Sequence, residues 1–237
     1  MAEKLFATLL CVLIIAVNAV AQNDPPKATT PGDEKKTAVK VNKRPQDPPK
    51  KPEPFDKADV KTMAAKCVTL NTEKGKVEIE LFPESAPESV RNFLNLVATK
   101  ALDTTTFSRV VPNFVIQGGD LYTSQNLTID LKWRAVRTIP DEPSLIKHER
   151  GIVSMARGEE PNSASTSFFI LVSKAETLDN KFAAFGRVIK GMDVVDAINK
   201  MSVENETPKE PVRITTAVVS SCNTAEENSE STNTVKN

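Results

Sequence analysis

Residues 107–120 read Phe-Ser-Arg-Val-Val-Pro-Asn-Phe-Val-Ile-Gln-Gly-Gly-Asp. One arginine, Arg109, and one glutamine, Gln117, sit inside an otherwise apolar run that ends in a Gly-Gly turn. Burying a cation without a partner is expensive. A strand that buries one beside aromatic side chains therefore has a use for it, as half of an ion pair or as a donor aimed at something bound. The β-branched and aromatic residues on either side of Pro112-Asn113 give two short strands, 107–111 and 113–117.

The same signals recur outward from this stretch. Runs 67–72 and 76–82 flank Glu73-Lys74-Gly75 and read as a hairpin. Pro87 fits the first helical position and Glu88 the first turn. Val90, Phe93, Leu94 and Val97 then follow i, i+3, i+4, i+7 spacing, which makes one apolar face for the core. Strands are predicted at 151–156, 167–172, 182–188 and 212–220. A second amphipathic helix over 191–201 turns Val194, Val195, Ile198 and Met201 inward. Many short strands with two separated helices point to a β-barrel or sandwich whose ends the helices cover.

The two ends of the chain have a different composition. Lys4 precedes an apolar run from Leu5 to Val17, and Ala19-Val20-Ala21 gives the small-x-small pattern of a cleavage site, so 1–21 reads as a signal peptide. The run is shorter than the ~20 residues that span a bilayer. The alternative is an uncleaved anchor, and either way the remainder is exported to the periplasm, cell envelope or medium. Residues 22–63 are rich in Pro, Lys, Asp and Thr and read as a disordered linker, with Pro-Pro pairs at 25–26 and 48–49 favouring extended chain. Residues 223–237 read as a disordered tail. The folded domain is thus expected over 64–222, bracketed by Cys67 and Cys222. Export favours their oxidation to a disulfide; two buried free thiols are the alternative. With 31 basic and 31 acidic residues the net charge is zero, which argues against nucleic acid as the main partner.

Familiar catalytic sets are missing. There is no glycine-rich phosphate loop, and the acidic residues show no spacing for a metal cage or a carboxylate pair. Beyond the N-terminal apolar run, which holds Cys11, two cysteines with one distant histidine make a poor zinc set. No cofactor or metal is expected. The only histidine, His148, lies in the polar turn Lys-His-Glu-Arg-Gly and reads as a surface or turn-bonding residue.

Three segments instead belong together: the stretch at 107–120; Gly-Ile-Val-Ser-Met-Ala-Arg-Gly-Glu-Glu-Pro-Asn-Ser-Ala-Ser-Thr-Ser-Phe-Phe-Ile at 151–170; and Thr-Leu-Asp-Asn-Lys-Phe-Ala-Ala-Phe-Gly at 177–186. In pattern and order they resemble the cyclophilin family of peptidyl-prolyl cis-trans isomerases in its bacterial exported form. The resemblance runs from about Cys67 to Ser220. It implies a mainly β fold, a closed eight-stranded antiparallel barrel capped by two α-helices. The first and last strands would then be neighbours, which strengthens the Cys67–Cys222 pairing. It implies that Arg109 donates to the prolyl nitrogen and that Gln117 holds Arg109 and a substrate carbonyl. Phe114, Val115, Phe169 and Leu178 match the proline-pocket positions, and Ala156 and Arg157 the strand edge that binds peptide backbone. Phe182 stands where eukaryotic members carry a histidine and can still cover the proline ring. Met155 and Phe168 read as core, and Gly118-Gly119 as a structural turn.

The chain also departs from the family. Thr177 occupies the position of a common site-lining tryptophan, and Ser167 that of a glutamine before the Phe-Phe pair. Segment 121–139 lacks a glycine-rich loop and carries Trp133 and basic residues, so an altered substrate preference is expected there. The implied partners are proline-containing polypeptides, bound by a monomer. The alternative on the same fold is a low-turnover proline-peptide-binding or chaperone module.

Overall fold

Strands β1 (Lys66–Thr72) and β2 (Gly75–Leu81) form the expected hairpin in a computed structural model that describes residues 50–222. The signal peptide, the linker up to residue 49 and the tail lie outside the described residues. Strands β3 (Arg109–Val111), β4 (Val115–Gly118), β5 (Ile152–Met155), β6 (Phe168–Leu171) and β7 (Ala184–Lys190) follow. A two-stranded ribbon, β8 (Val203–Glu204) and β9 (Thr207–Pro208), precedes the last strand, β10 (Ile214–Ser221). Eight of these make one antiparallel sheet in the order β10-β1-β2-β7-β5-β6-β4-β3.

The sheet is strongly curled, a half-barrel, and it does not close, contrary to the expectation from the sequence. Its edges β10 and β3 share no ladder. The segments just before them are joined by one isolated bridge, Thr106 to Arg213, and by bonds such as Phe107 N–H to Val212 O at 2.9 Å. The reason lies in β3. It is only three residues long, and its Val110 N–H donates to Glu206 O (2.8 Å) in the turn of the β8–β9 ribbon. That ribbon occupies the edge that a closed barrel would give to β10.

Both expected helices are present. In the first, Pro87–Ala98, Val90, Phe93, Leu94 and Val97 are buried as their spacing requires. Ala86 at the N-cap of this helix offers no side-chain acceptor; the Glu142 carboxylate instead takes the Glu88 and Ser89 amides and the Ser89 hydroxyl. The later helix, Met192–Asn199, buries Val194, Val195 and Ile198. Alternation along the strands then sorts residues by face. Val110, Ile116, Val153, Met155, Phe168 and Ile170 enter the main core with Phe93 and Phe185, and Phe93 meets Phe168 edge-on at 5.2 Å. Gly119 (φ +84) closes the 107–120 stretch; a Cβ there would lie 2.4 Å from Thr166 O, so the Gly-Gly turn is structural.

The fold begins before residue 64, which corrects the linker boundary. Met63 is fully buried within a short helix, Val60–Ala64. Phe55 N–H donates to Asn95 Oδ1 at 2.7 Å. The Glu53 carboxylate, 9% exposed, accepts from Arg134 Nε at 2.8 Å and from Arg137. Arg134 lies on a helix over Ile129–Ala135 that the sequence left as an atypical loop, and its Nη2 also donates to Asn92 Oδ1. The composition of 50–63 is polar, but its polar groups have buried partners far along the chain. No helix among the described residues is long and apolar enough to cross a membrane.

Cys67 and Cys222 form a disulfide, with Cα atoms 4.9 Å apart across a sequence separation of 155. It ties β1 to the end of β10, where Cys67 faces Ser220 in the ladder. Closing so long a loop is worth about 5 kcal/mol in the chain-entropy model. Reduction should therefore lower the urea midpoint sharply; an unchanged midpoint after verified reduction would contradict a stabilising bond. Removing one partner of a buried ion pair typically costs about 3–5 kcal/mol. Glu53→Ala should destabilise on that scale in urea titration, whereas a midpoint equal to wild type would return residue 53 to the linker.

Candidate active site

One rung of the sheet assembles the site. Arg109 on β3 faces Gln117 on β4, Gln117 faces Phe169 on β6, and Phe169 faces Ser154 on β5, which faces Ala184 on β7. Directly opposed residues in antiparallel strands share a face, so the two polar residues of the 107–120 stretch and the apolar Phe169 lie side by side. Arg109 Nη1 lies 3.4 Å from Gln117 Oε1, and Nε donates to Glu206 Oε2 at 2.7 Å. Nη2 has no protein partner among the described residues.

The sequence suggested a buried cation, and the structure corrects this. The Arg109 side chain is 44% exposed. An edge strand leaves it open to solvent, and Glu206 supplies a countercharge. What the stretch contains is a half-exposed donor beside an apolar wall.

That wall is a second apolar cluster, separate from the main core. Val115, Ile152, Phe169, Leu171, Ala175 and Ala184 are its buried members, and Phe114, Ala156, Leu178 and Phe182 pack against it partly exposed. All six apolar site residues read from the sequence thus fall in one cluster, while Met155 and Phe168 belong to the main core. Phe182 stands edge-on to Phe169, centroids 5.7 Å apart. Arg157 lies over the Phe182 ring at 5.2 Å, a cation–π contact, and donates to Gly158 O at 3.0 Å. The Ala156 amide is already bonded to Ser167 O (2.9 Å), so that N–H is not free to bind a peptide. A separate cleft of about 780 Å³, lined by Lys50, Trp133 and Arg137 among others, includes none of these site residues.

Comparison with known proteins meets this geometry. The family model described as cyclophilin type peptidyl-prolyl cis-trans isomerase/CLD matches residues 67–219. A peptidyl-prolyl cis-trans isomerase of Acinetobacter baylyi is 38% identical over 175 residues, covering 69% of this chain and 90% of that protein. Peptidyl-prolyl cis-trans isomerase A of Dickeya dadantii is 35% identical, covering 64% and 83%. A crystal structure of a Cryptosporidium parvum cyclophilin, determined in the presence of the dipeptide Ala-Pro, superposes with a TM-score of 0.58 at 28% identity, covering 65% of this chain and 99% of that one. The chain belongs to the cyclophilin family.

Two positioning groups of this cyclophilin were not legible in its sequence. Asn199, at the end of the Met192–Asn199 helix, donates to Val111 O (2.9 Å) and Val115 O (3.1 Å) and accepts from Asn113 N–H (2.8 Å). It clamps the β3–β4 turn and so fixes Arg109, Phe114 and Gln117 against one another. The second is His148, which is buried (1% exposed) and not a surface residue. Its Nε2 is 3.0 Å from Ser154 Oγ, its Nδ1 3.3 Å from Asp179 Oδ1, and its amide donates to the same carboxylate at 2.8 Å. The order serine–histidine–aspartate is that of a hydrolase triad, but Ser154 is fully buried and no substrate reaches it. Here the three groups tie β5 to the segment that carries Leu178 and Phe182.

Burial pushes the His148 imidazole below its usual range, and Asp179 opposes this only in part. Asp179 is held low chiefly by the His148 amide, with Lys147 Nζ 3.1 Å away as a further countercharge. Because the folded imidazole is harder to protonate than the unfolded one, the unfolded state binds more protons once pH drops below about 6.5. Stability present above that pH should fall as pH passes from there through the depressed folded value. The chain has one histidine, which makes the assignment direct. The urea midpoint should drop between pH 7 and pH 5, and His148→Gln should lack that step. The same drop in both proteins would contradict it.

Proposed function

We propose that Arg109 drives rotation of X-Pro bonds by donating to the prolyl nitrogen while the proline ring sits against Phe114, Val115, Phe169, Leu178 and Phe182. The observation that carries this reading is the rung that puts Arg109 and Gln117 beside Phe169. Amide resonance sets a barrier of ~18–20 kcal/mol, and uncatalysed exchange takes tens to hundreds of seconds. A donor on the nitrogen localises its lone pair and weakens the partial double bond. No covalent step is needed. Reaching the millisecond range asks for about 10⁵-fold, or roughly 7 kcal/mol.

The half-exposed guanidinium is screened by water in the free enzyme. A seated proline displaces that water, and the same charge then acts in a drier site where fixed donors are worth more. The charge of an arginine is permanent and its donors are planar, so it is ready before substrate arrives. Gln117 steadies Nη1 and offers its amide to a substrate carbonyl. Arg157 holds Phe182 over the pocket.

The clients we propose are exported proteins. Lys4, the apolar run and Ala19-Val20-Ala21 support export to the periplasm or cell envelope, and the Cys67–Cys222 bond suits an oxidising compartment. Exposed Thr177, in place of an aromatic wall, favours the second reading of a binder with little turnover.

A protease-coupled assay on a proline peptide separates the two. Wild type should accelerate cis-to-trans conversion, and Arg109→Ala should lower kcat/KM about 100-fold or more with its urea midpoint retained. Arg109→Lys should not restore it, because a point charge lacks the planar fork. Peptide binding without any rate change in wild type would leave only the binder. Full activity in Arg109→Ala would refute the role of Arg109.

A further inference from the structure

We infer that Glu206 is a positioning residue that fixes the plane of the Arg109 guanidinium, an inference that rests on the isomerase reading of Arg109. Glu206 Oε2 accepts from Nε at 2.7 Å, and Gln117 Oε1 lies 3.4 Å from Nη1. A planar group held at two of its three nitrogens has its plane set. Because Glu206 takes Nε, neither terminal nitrogen carries a carboxylate, and Nη2 has no protein partner among the described residues. A carboxylate on a terminal nitrogen would instead compete with substrate.

A second observation comes from the backbone. Glu206 and Asn205 are the two central residues of the turn between β8 and β9, where Glu204 pairs with Thr207. Both lie in the left-handed region, Asn205 at φ 49 and Glu206 at φ 65. This is the conformation of the tight hairpin turn for which Asn-Gly is the preferred pair. Asparagine suits its place; glutamate replaces the glycine that would fit without strain. A residue held against local preference at a site marks a role that the preference does not serve.

The turn is also seated where it can do this. The Glu206 carbonyl accepts from Val110 N–H at 2.8 Å, so the residue next to Arg109 anchors the same turn that carries the carboxylate. The ion pair adds little to fold stability, since its two side chains are 44% and 49% exposed. Its consequence is orientation. The carboxylate also offsets part of the arginine charge, but solvent already screens that charge in the free enzyme, and a donor out of plane with the prolyl nitrogen is lost however large its charge.

The experiment compares Glu206→Gly and Glu206→Gln with wild type in the full chain. Glu206→Gly installs Asn-Gly and should keep or raise the urea midpoint, yet lower kcat about tenfold with little change in KM. Glu206→Gln keeps an oxygen for Nε–H and should recover most of the loss. Wild-type kcat in Glu206→Gly, or equal impairment in Gln and Gly, would overturn the inference. The Arg109 Nε–H resonance gives a readout that does not depend on turnover: slow solvent exchange in wild type and Glu206→Gln, fast in Glu206→Gly. Fast exchange in wild type would overturn the inference, whereas a wild type with slow exchange and no turnover would sink the isomerase reading alone.

Discussion

The register between β3 and β4 is the constraint on which the site depends. Arg109 faces Gln117, Val110 faces Ile116 and Val111 faces Val115. A slip of one residue sends every side chain to the other face. It would bury Gln117 in the main core and bring Ile116 to the groove. The register is held from three directions. Val110 and Ile116 are fully buried, Asn199 ties both strands through the turn, and Glu206 takes the free amide of Val110. The geometry of the candidate site and core packing are therefore one requirement, met by the alternation of Arg109 and Val110 across β3.

The polar groups that hold the apolar wall and the chain's entry in place are long-range. His148 reaches from the turn before β5 to Asp179, behind Phe182. Glu53 reaches from the entry of the chain to Arg134 and Arg137. Each is a buried group that would be costly alone and is tolerable because its partners are present. The disulfide does covalently for β1 and β10 what these contacts do elsewhere. The apolar wall rests on a sheet whose curl is fixed at its edges, although the edges do not meet.

Much of this was legible from local pattern. Short β-branched and aromatic runs located all eight strands of the main sheet, and the spacing of Val90, Phe93, Leu94 and Val97 located the first long helix. The six apolar candidate residues came from motif resemblance, since Val115, Ala156 and Leu178 carry no signal alone, and the fold gathers them in one cluster. What escaped the sequence depends on which distant groups meet. Nothing near His148 announces Ser154 and Asp179 as its partners, so a polar neighbourhood suggested exposure. The closed barrel failed because a ribbon of four paired residues takes the β3 edge. The start of the domain was misplaced because polar composition was read as disorder when Glu53 had buried arginines waiting far along the chain. The left-handed turn at Glu206 was the least visible, because only the backbone reveals that a glycine position holds a glutamate.

The most direct test of the account is where a proline peptide touches the protein. Side-chain and backbone resonances, followed by NMR as an Ala-Pro peptide is titrated into the oxidised protein, report this. The account predicts that Arg109 and Gln117 side-chain signals shift together with those of Phe114, Phe169 and Phe182, while Trp133 stays in place. Shifts confined to Trp133 and the cleft around Lys50 and Arg137, with Arg109 unmoved, would contradict it.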